Sequence, residues 1–281
     1  MSEINLKTWE EFESRLKELE SDRKQQNAPF PYECQFLYRG QRNSKLSLST
    51  TLERSGREKV SLKDYHKLIS KVKPQIESFT GKNWNILSYS KGIDAWLAEW
   101  GSQIPQAFGW SEEFTPTLSY MTYLRHYGFP SPLLDWSRSP YVAAYFAFRD
   151  IQKVNDGVQY VSIYVYLESN SGITIHGSNE PWIYTIGPYI STDRRHFIQQ
   201  CQYTIYVFNE NGTWQYKPYE RAFNCSDPPQ NFLWKFNIPA SERIKVLKIL
   251  DSYNINDLSL FGNEESLMKT MAMREIHLTT Q

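Results

Sequence analysis

The sequence predicts an α+β fold that forms one domain over its 281 residues. Helical periodicity marks the start of the chain, at residues 5–22, and its end, at residues 241–276. Between them, Val158–Leu167 and Gln202–Phe208 are rich in β-branched and aromatic side chains with the alternation of β-strands. We therefore expect a β-sheet core at residues 36–208 with peripheral helices.

The helices at the two ends carry their own start signals. Thr8 and Glu11 form a capping box for the first helix, whose apolar side chains fall near one face. These apolar residues are Leu6, Trp9, Phe12, Leu16 and Leu19. Ser241 is expected to cap one C-terminal helix and Asn263 the next, where two glutamates in the first turn favour the helix dipole. We expect the first helix to pack on the domain, although the same face also suits a partner protein.

The short run Phe36–Gln41, FLYRGQ, places a charged residue in apolar surroundings. Its first three residues favour a buried strand that stops at Arg39 and Gly40. Gly40 permits the close approach of another backbone or of a ligand. The Arg39 guanidinium keeps its charge, so it requires a carboxylate or a phosphate, either within the fold or on a ligand.

A second stretch, Tyr123–Phe148, combines turn residues, an acidic residue and a very apolar helix. Asp135 and Ser137 follow two leucines, and the chain then reaches Ser139 and Pro140. Serine at an N-cap with proline at the first helical position predicts a helix, whose sequence YVAAYFAF is apolar on every face. That helix must be buried, so the polar groups before it require partners.

Together these residues resemble the FRG domain, which is named for a Phe/Tyr-Arg-Gly signature. The similarity consists of YRGQ at residues 38–41, HYGFP at 126–130, LLDWSRSP at 133–140 and AAYFA at 143–147. It continues at residues 195–204, RHFIQQCQYT, which resembles a later Arg…Gln-Gln-Gly-x-Phe-Thr element of the family. Cys201 stands there in place of the usual glycine.

FRG domains are remotely similar to ADP-ribosyltransferases, which hold NAD in the cleft of a split, mixed β-sheet. The resemblance implies three candidate catalytic residues, in chain order Arg39, Ser137 and Gln199. It also implies that NAD, as the substrate, is bound by Arg39, Gly40, His126, Asp135 and Arg195. No metal is expected, because cleavage of the glycosidic bond requires orientation and electrostatic stabilisation of an oxocarbenium-like centre.

The resemblance also implies a role for each of these residues. Arg39 holds the pyrophosphate or the nicotinamide ribose, Ser137 supports that ribose, and Gln199 orients the nucleophile in place of the usual glutamate. Asp135 binds a ribose hydroxyl or pairs with Arg39. Arg195 neutralises developing phosphate charge, although a solvated loop is the alternative setting for this residue.

The amino-acid composition is compatible with this chemistry but does not identify a reaction. Lysine plus arginine equals aspartate plus glutamate at 31 each, so no overall field recruits nucleic acid or an anionic membrane. Three widely spaced cysteines argue against a zinc site and against a secreted disulfide framework. The N-terminus does not resemble a signal peptide, and no apolar run reaches the length of a membrane span. We therefore expect a cytoplasmic protein with no membrane partner.

Several common catalytic motifs are absent from the sequence. It contains no Walker phosphate loop, no G-x-G-x-x-G, no H-E-x-x-H and no G-x-S-x-G. Its five histidines lack metal-ligand spacing, and only His126 and His196 lie in elements that resemble the family. A tryptophan-rich stretch at residues 84–110 suits either the lid of a cleft or an anchor on the core.

The resemblance implies an NAD-dependent ADP-ribosyltransferase, a toxin or effector that modifies RNA or a translation component in bacterial anti-phage defence. The expected partners are a cognate antitoxin and a macromolecular acceptor, either RNA or protein. Two alternatives remain open. One is NAD hydrolysis, with water as the acceptor. The other is a non-catalytic module that binds a nucleotide or a partner protein, in which an Arg39–Asp135 pair is structural.

Overall fold

The computed structural model describes residues 2–26, 35–57, 59–86, 115–150, 157–168, 182–186, 190, 192, 194–211, 213–219 and 232–279. These residues form a mixed nine-stranded sheet with helices around it. The predicted combination of a mixed sheet and peripheral helices is confirmed at this level. None of the helices in the described ranges combines the length and the apolar character needed to cross a membrane.

The strands lie in one sheet with a branch. They are β1 (Ser2–Asn5), β2 (Leu37–Gln41), β3 (Val60–Ser61), β4 (Leu133–Ser137), β5 (Tyr160–Leu167), β6 (Trp182–Ile186), β7 (Cys201–Glu210), β8 (Thr213–Tyr216) and β9 (Phe232–Pro239). Their order is β1-β9-β5-β2-β4-β7-β8-β3, and β6 pairs with β7 outside this path. The β1–β9 ladder is parallel, and the other described ladders are antiparallel.

The helices surround this sheet. They are α1 (Trp9–Gln26), α2 (Thr51–Arg54), α3 (Leu62–Thr80), α4 (Thr115–His126), α5 (Pro140–Phe148), α6 (Arg194–Ile198), α7 (Arg243–Ser252), α8 (Asp257–Phe261) and α9 (Glu264–Ala272). A 3-10 turn at Ala240–Glu242 precedes α7, and a π-helical turn at Met273–His277 follows α9.

The start of the chain differs from the prediction. Residues 2–5 form an edge strand on β9, so the first helix begins at Trp9 rather than at residue 5. The capping residues are those expected: Glu11 N–H donates to Thr8 Oγ1 at 3.3 Å, and Lys7 N–H donates to the Glu11 carboxylate at 2.7 Å. Leu6 N–H donates to the Asn237 carbonyl at 2.8 Å, and this bond keeps the chain extended before the cap.

The C-terminal caps give a mixed outcome. Ser241 lies inside the 3-10 turn, and the predicted cap there is wrong, because the preceding turn already supplies the entry into α7. Asn263 caps α9 as predicted, and its side-chain oxygen accepts from Ser266 N–H at 2.8 Å. The short helix α8 between them was not predicted. Its N-cap is Asn256, which bonds Ser259 N–H at 3.0 Å.

Helix α5 packs directly against β2 and explains the glycine of the YRGQ run. A Cβ added at Gly40 would lie 1.9 Å from the Ala143 carbonyl oxygen and 2.6 Å from Ala147 N. Only glycine permits this approach of strand and helix. The predicted strand end at Arg39 and Gly40 is wrong, because both residues continue the ladder with β5. Gly40 therefore serves the approach of a backbone, which is one of its two expected uses.

The ladder between β2 and β4 is unusually short. It consists of the single pair Tyr38↔Ser137, whereas β2 pairs with β5 along all five of its residues. Backbone groups of β2 and β4 beyond this pair do not meet each other within the described sheet. A gap bordered by both strands follows from this arrangement, and it positions the site described below.

The tryptophan-rich stretch lies mostly outside the described residues. Trp84 is described, and its ring lies 5.0 Å from that of Tyr120 and 4.6 Å from that of Tyr123, between centroids. It therefore anchors on α4. Residues 87–114 lie outside the described ranges, so the lid interpretation is not tested.

Candidate functional site

A cavity of about 670 Å³ is bordered by β2, β4, α5 and the turn before β7. Every residue that the sequence singled out for a role in catalysis or NAD binding contributes to its wall. These residues are Arg39, Gly40, His126, Asp135, Ser137, Arg195 and Gln199. Its volume lies in the range of small-molecule sites, roughly 300–1,000 Å³. The fold thus brings together seven residues that are separated by up to 160 positions in the sequence.

Positive charge dominates this cavity. Its described wall contains five arginines, Arg39, Arg42, Arg54, Arg125 and Arg195. The same wall contains two carboxylates, Asp135 and Asp150, which leaves an excess of three positive charges. The chain as a whole is neutral, so this local excess is a property of the fold. Such a concentration of guanidinium groups in a concave site favours a phosphate-bearing ligand.

Arg39 lies at the inner end of this cluster. Its Nη1 donates to the backbone carbonyl of Asp135 at 2.7 Å, and its buried Nε has no hydrogen-bond partner among the described residues. Burial lowers the pKa of the Arg39 guanidinium to about 10, against the opposing effect of the Asp135 carboxylate, and Arg125 and Arg54 lower it further. The group stays charged at neutral pH in a setting that disfavours its charge. A bound anion would relieve this cost.

Asp135 pairs with Arg125 rather than with the Arg39 guanidinium. Its Oδ2 accepts from Arg125 Nη2 at 2.7 Å, and both side chains are partly buried. Its buried Oδ1 and Arg125 Nε lack partners among the described residues. Arg39 therefore contacts Asp135 only through the backbone carbonyl, which corrects the expected pairing of guanidinium and carboxylate. Three unsatisfied polar atoms in one cluster, each costing about 1–3 kcal/mol, indicate a place for ligand atoms or water.

Two arginines border the mouth of the cavity. Arg54 and Arg42 are both exposed, and Arg54 Nη1 donates to the Ser49 carbonyl at 2.6 Å. Burial lowers the pKa of Arg54, and the nearby Arg125 guanidinium lowers it further. Sequence reasoning missed Arg42, Arg54 and Arg125. Arg125 directly precedes His126 and Arg42 directly follows the YRGQ run, so adjacency to the recognised segments was the available signal, whereas Arg54 had none.

Ser137 connects three segments of the wall. The buried hydroxyl donates to the Gln199 carbonyl at 2.8 Å and accepts from Ser139 N–H at 3.0 Å. Ser139 in turn caps α5, since its Oγ accepts from Val142 N–H at 3.3 Å. The Ser137 hydroxyl therefore joins β4, the start of α5 and the turn before β7.

Gln199 is buried and held from the side of α8. Its Nε2 donates to the Leu260 carbonyl at 3.1 Å, and Cys201 Sγ lies 3.7 Å from its Oε1. Gln200 has a positive φ of 50°, which turns the chain into β7. The residue in the left-handed conformation is thus Gln200. The usual glycine of the family corresponds to the next position, Cys201. Cys201 itself begins the strand as a paired residue opposite Ser137.

Aromatic rings form a further part of the wall, near Arg195. The Arg195 guanidinium carbon lies 5.6 Å from the Phe261 ring centroid and 5.7 Å from that of Tyr127. Phe146 of α5 and Trp136 of β4 also border the cavity. This wall offers cation–π and stacking surfaces to a planar ring.

His126 contributes an imidazole to the cavity at the end of α4. Its Nε2 lies 2.7 Å from the Tyr203 hydroxyl, and the same hydroxyl lies 3.2 Å from His196 Nδ1. Tyr203 is fully buried, and its ring is nearly parallel to that of His196, with centroids 5.6 Å apart. A buried phenol therefore bridges the two histidines. In the part of the chain that is described, no group of three or more His, Cys, Asp or Glu side chains is placed to hold a metal ion.

Comparison with known protein families gives a match. A model of the FRG domain matches residues 34–156, which include YRGQ, HYGFP and LLDWSRSP. This part of the chain therefore matches the FRG domain family. The match ends before Arg195 and Gln199, so those two residues rest on the structure and on the similarity of their own segment. No curated protein and no solved structure matches the chain.

Proposed function

We propose that the arginine-lined cavity binds NAD and that the chain is an NAD-dependent ADP-ribosyltransferase acting on a macromolecule. The observation that carries this proposal is the cluster of Arg39, Arg125 and Arg54 around Asp135, whose unsatisfied donors border a cavity with an excess of positive charge. A diphosphate is the part of NAD that such a cluster would recognise. Guanidinium groups bind phosphate oxygens with paired, charge-assisted hydrogen bonds.

The pyrophosphate belongs at the arginine end of the cavity. Arg39 Nε and Arg125 Nε are buried donors that a ligand oxygen would satisfy, and Arg54 adds charge at the mouth. The free carboxylate oxygen of Asp135 would accept from a ribose hydroxyl, which agrees with one of its two expected roles. Arg195 lies across the cavity beside Phe261, where it would face developing charge at the reacting end.

The remaining walls suit the rest of the dinucleotide. Phe146 and Phe261, which are partly exposed, offer surfaces for a nicotinamide or adenine ring. Gln199 is anchored through its amide nitrogen, and its Oε1, which accepts a weak hydrogen bond from Cys201 Sγ at 3.7 Å, would be the group that orients a nucleophile. Ser137 would act on the ribose mainly by fixing the wall, because its hydroxyl already makes two hydrogen bonds to the backbone.

A second candidate is a non-catalytic nucleotide-binding module. The commitment of the Ser137 hydroxyl to the backbone favours it, since a residue used as a structural connection is not available to a substrate. NAD hydrolysis, with water as acceptor, is the enzymatic alternative to transfer. The same cavity serves all three functions, so binding alone does not distinguish them.

We further propose that the acceptor is RNA or a component of translation and that the chain is a cytoplasmic toxin of bacterial anti-phage defence, restrained by a cognate antitoxin. This part rests on the family resemblance. Growth arrest on expression without any modified macromolecule, and with NAD depleted, would support hydrolysis instead.

The test is the fate of labelled NAD incubated with purified protein and a lysate that contains RNA and protein. The wild type is compared with Arg39→Ala and with Arg15→Ala, a charge-matched control whose side chain is 51% exposed on α1. We expect label in macromolecules with the wild type and the control, and none with Arg39→Ala. Nuclease or protease digestion then identifies the acceptor class. Intact NAD and no label in all three samples would favour the binding module.

A further inference from the structure

We propose that His126, Tyr203 and His196 form a proton relay in which His126 is the general base that activates the acceptor. This inference rests on the proposed transfer reaction, and it names the base that the three candidate catalytic residues do not supply. Gln199 occupies the position where related enzymes have glutamate, and an amide does not accept a proton at neutral pH.

The carboxylates of the cavity are poor candidates for this base. Asp135 is ion-paired with Arg125 at 2.7 Å. The side chain of Asp150 is 59% exposed and lies 3.2 Å from Arg149 Nε. An ion-paired carboxylate is a weaker base than an imidazole, whose affinity for protons matches neutral pH. His126 is the histidine that borders the cavity within the described residues.

The geometry of the relay determines the donor and acceptor roles of the Tyr203 hydroxyl between the two histidines. A tyrosine hydroxyl donates one hydrogen bond and accepts others, so with imidazole nitrogens at 2.7 and 3.2 Å it donates to one ring and accepts from the other. Moving one proton along the three groups interconverts the two arrangements. Tyr203 is fully buried, whereas His196 is partly exposed on α6, and the relay therefore leads from the cavity toward solvent.

The reaction balances as follows. The acceptor oxygen forms a bond to C1′ of the ribose while the bond from C1′ to the nicotinamide nitrogen breaks, and nicotinamide leaves as a neutral molecule with the electron pair. The acceptor O–H proton passes to His126 Nδ1, an atom that is itself buried, so the acceptor oxygen must come within hydrogen-bond distance of it. The His126 Nε2 proton passes to the Tyr203 oxygen, and the Tyr203 proton passes to His196 Nδ1. The resulting His196 imidazolium then releases its Nε2 proton to water.

The kinetic experiment measures transfer of labelled ADP-ribose in a single turnover at saturating NAD. It compares the wild type with His126→Ala, Tyr203→Phe and Tyr65→Phe, and ADP-ribose affinity is measured in parallel by calorimetry. Tyr65 is the matched control, because it is also a buried phenol that donates a hydrogen bond, to the Pro130 carbonyl at 2.8 Å.

We expect His126→Ala to lower the rate by at least about 100-fold, the usual contribution of a general base, and added imidazole to restore part of it. Tyr203→Phe should lower the rate by roughly tenfold with little change in affinity, and Tyr65→Phe should leave the rate unchanged. Wild-type rates in His126→Ala, or equal rates in the two tyrosine variants, would overturn the relay. So would a loss in His126→Ala that imidazole does not rescue.

A measurement without turnover separates the relay from the transfer reaction. Nitrogen NMR of ¹⁵N-histidine-labelled protein reports the protonation of each ring nitrogen. We expect Tyr203→Phe to change the signals of both His126 and His196 and Tyr65→Phe to change neither. If the wild type binds ADP-ribose but transfers no label, the proposed transfer fails, and the NMR result then decides the relay alone. Unchanged signals in Tyr203→Phe would disprove it.

Discussion

The two sides of the cavity handle their polar groups in opposite ways. On the arginine side, Arg39, Arg125 and Asp135 have buried nitrogen and oxygen atoms that lack partners among the described residues. On the serine side, the Ser137 hydroxyl makes two hydrogen bonds to the backbone, and the Gln199 amide bonds to the carbonyl of Leu260. The first side lacks atoms that a ligand would supply. The second side is complete without a ligand.

This difference distinguishes polar residues that could bind a ligand from polar residues that stabilise the fold. A polar residue in apolar surroundings requires a partner, but the sequence does not show whether the partner belongs to the fold. Ser137 and Arg39 are both polar residues in apolar surroundings, yet the Ser137 hydroxyl bonds backbone groups of the fold, whereas Arg39 Nε has no partner among the described residues. Substitutions on the serine side should therefore change stability first, and those on the arginine side should change binding first.

The largest effect should come from Gly40→Ala, because the new Cβ would overlap backbone atoms of α5 that have no room to move. We expect a loss of more than about 3 kcal/mol in the free energy of unfolding, at the upper end of overpacking effects. Urea denaturation followed by circular dichroism measures it. Gly81→Ala is the control, since Gly81 has a positive φ of 69° and no atom of the described residues within 4 Å of its Cβ position. Equal losses in the two variants would refute the steric argument.

Arg39→Ala should separate the two sides most clearly. We expect ADP-ribose affinity to fall about 100-fold, or about 2.7 kcal/mol, because buried donors to the phosphates are lost. The free energy of unfolding should change by less than about 1 kcal/mol, since a poorly satisfied buried charge contributes little to stability. Calorimetry and urea denaturation measure the two quantities, with Arg15→Ala as control. A stability loss of about 3–5 kcal/mol with retained affinity would instead make Arg39 structural.

Ser137→Ala should show the opposite pattern. Removal of the hydroxyl leaves the Gln199 carbonyl and Ser139 N–H without this partner, so the free energy of unfolding should fall by about 1–3 kcal/mol. ADP-ribose affinity of the folded protein should change by less than about threefold, or roughly 0.6 kcal/mol. Ser252→Ala is the control, because the exposed Ser252 side chain donates to the Ile249 carbonyl within its own helix. An intact fold that no longer binds ADP-ribose would place Ser137 among the ligand-binding groups.

The smallest of the expected effects belongs to Arg54 at the mouth. Arg54→Ala should weaken ADP-ribose binding about tenfold, or about 1.4 kcal/mol, at low salt. The difference from the wild type should shrink as ionic strength rises, because exposed charges are screened. Calorimetric titrations at several salt concentrations measure this dependence. A deficit that does not depend on salt would indicate a direct structural role in place of a long-range charge effect.

Much of the site was predictable because its residues lie in compact motifs. The YRGQ and LLDWSRSP runs supplied Arg39, Asp135 and Ser137, and the Ser139–Pro140 pair correctly predicted the start of α5. Arg54 was not predictable, since it lies in an ordinary capped turn, and only the tertiary fold brings it to the cavity. The relay was missed for the same reason: His126 and Tyr203 are 77 residues apart.

The sequence predicted the fold class, but it did not predict the edge strand β1 or the full length of strand β2. Strand β1 has only four residues and exposes most of them, so its sequence lacks the apolar pattern of a buried strand. Its place is set by pairing with β9 and by the ion pair between Glu3 and Lys235, at 2.9 Å. The sequence predicted that strand β2 ends at Arg39 and Gly40, because glycine weakens the interior of a strand. The observed strand continues to Gln41. The close contact with α5 overrides that preference.

The bond from Ser137 to the Gln199 carbonyl and the bond from Gln199 to the Leu260 carbonyl have a consequence for synthesis. They span 62 and 61 residues respectively, so the serine side cannot close until residue 260 has left the ribosome. Contacts of such separation form late in folding. A nascent or truncated chain that carries the whole FRG match would therefore still lack one wall of its cavity until the segment that contains residue 260 has joined it.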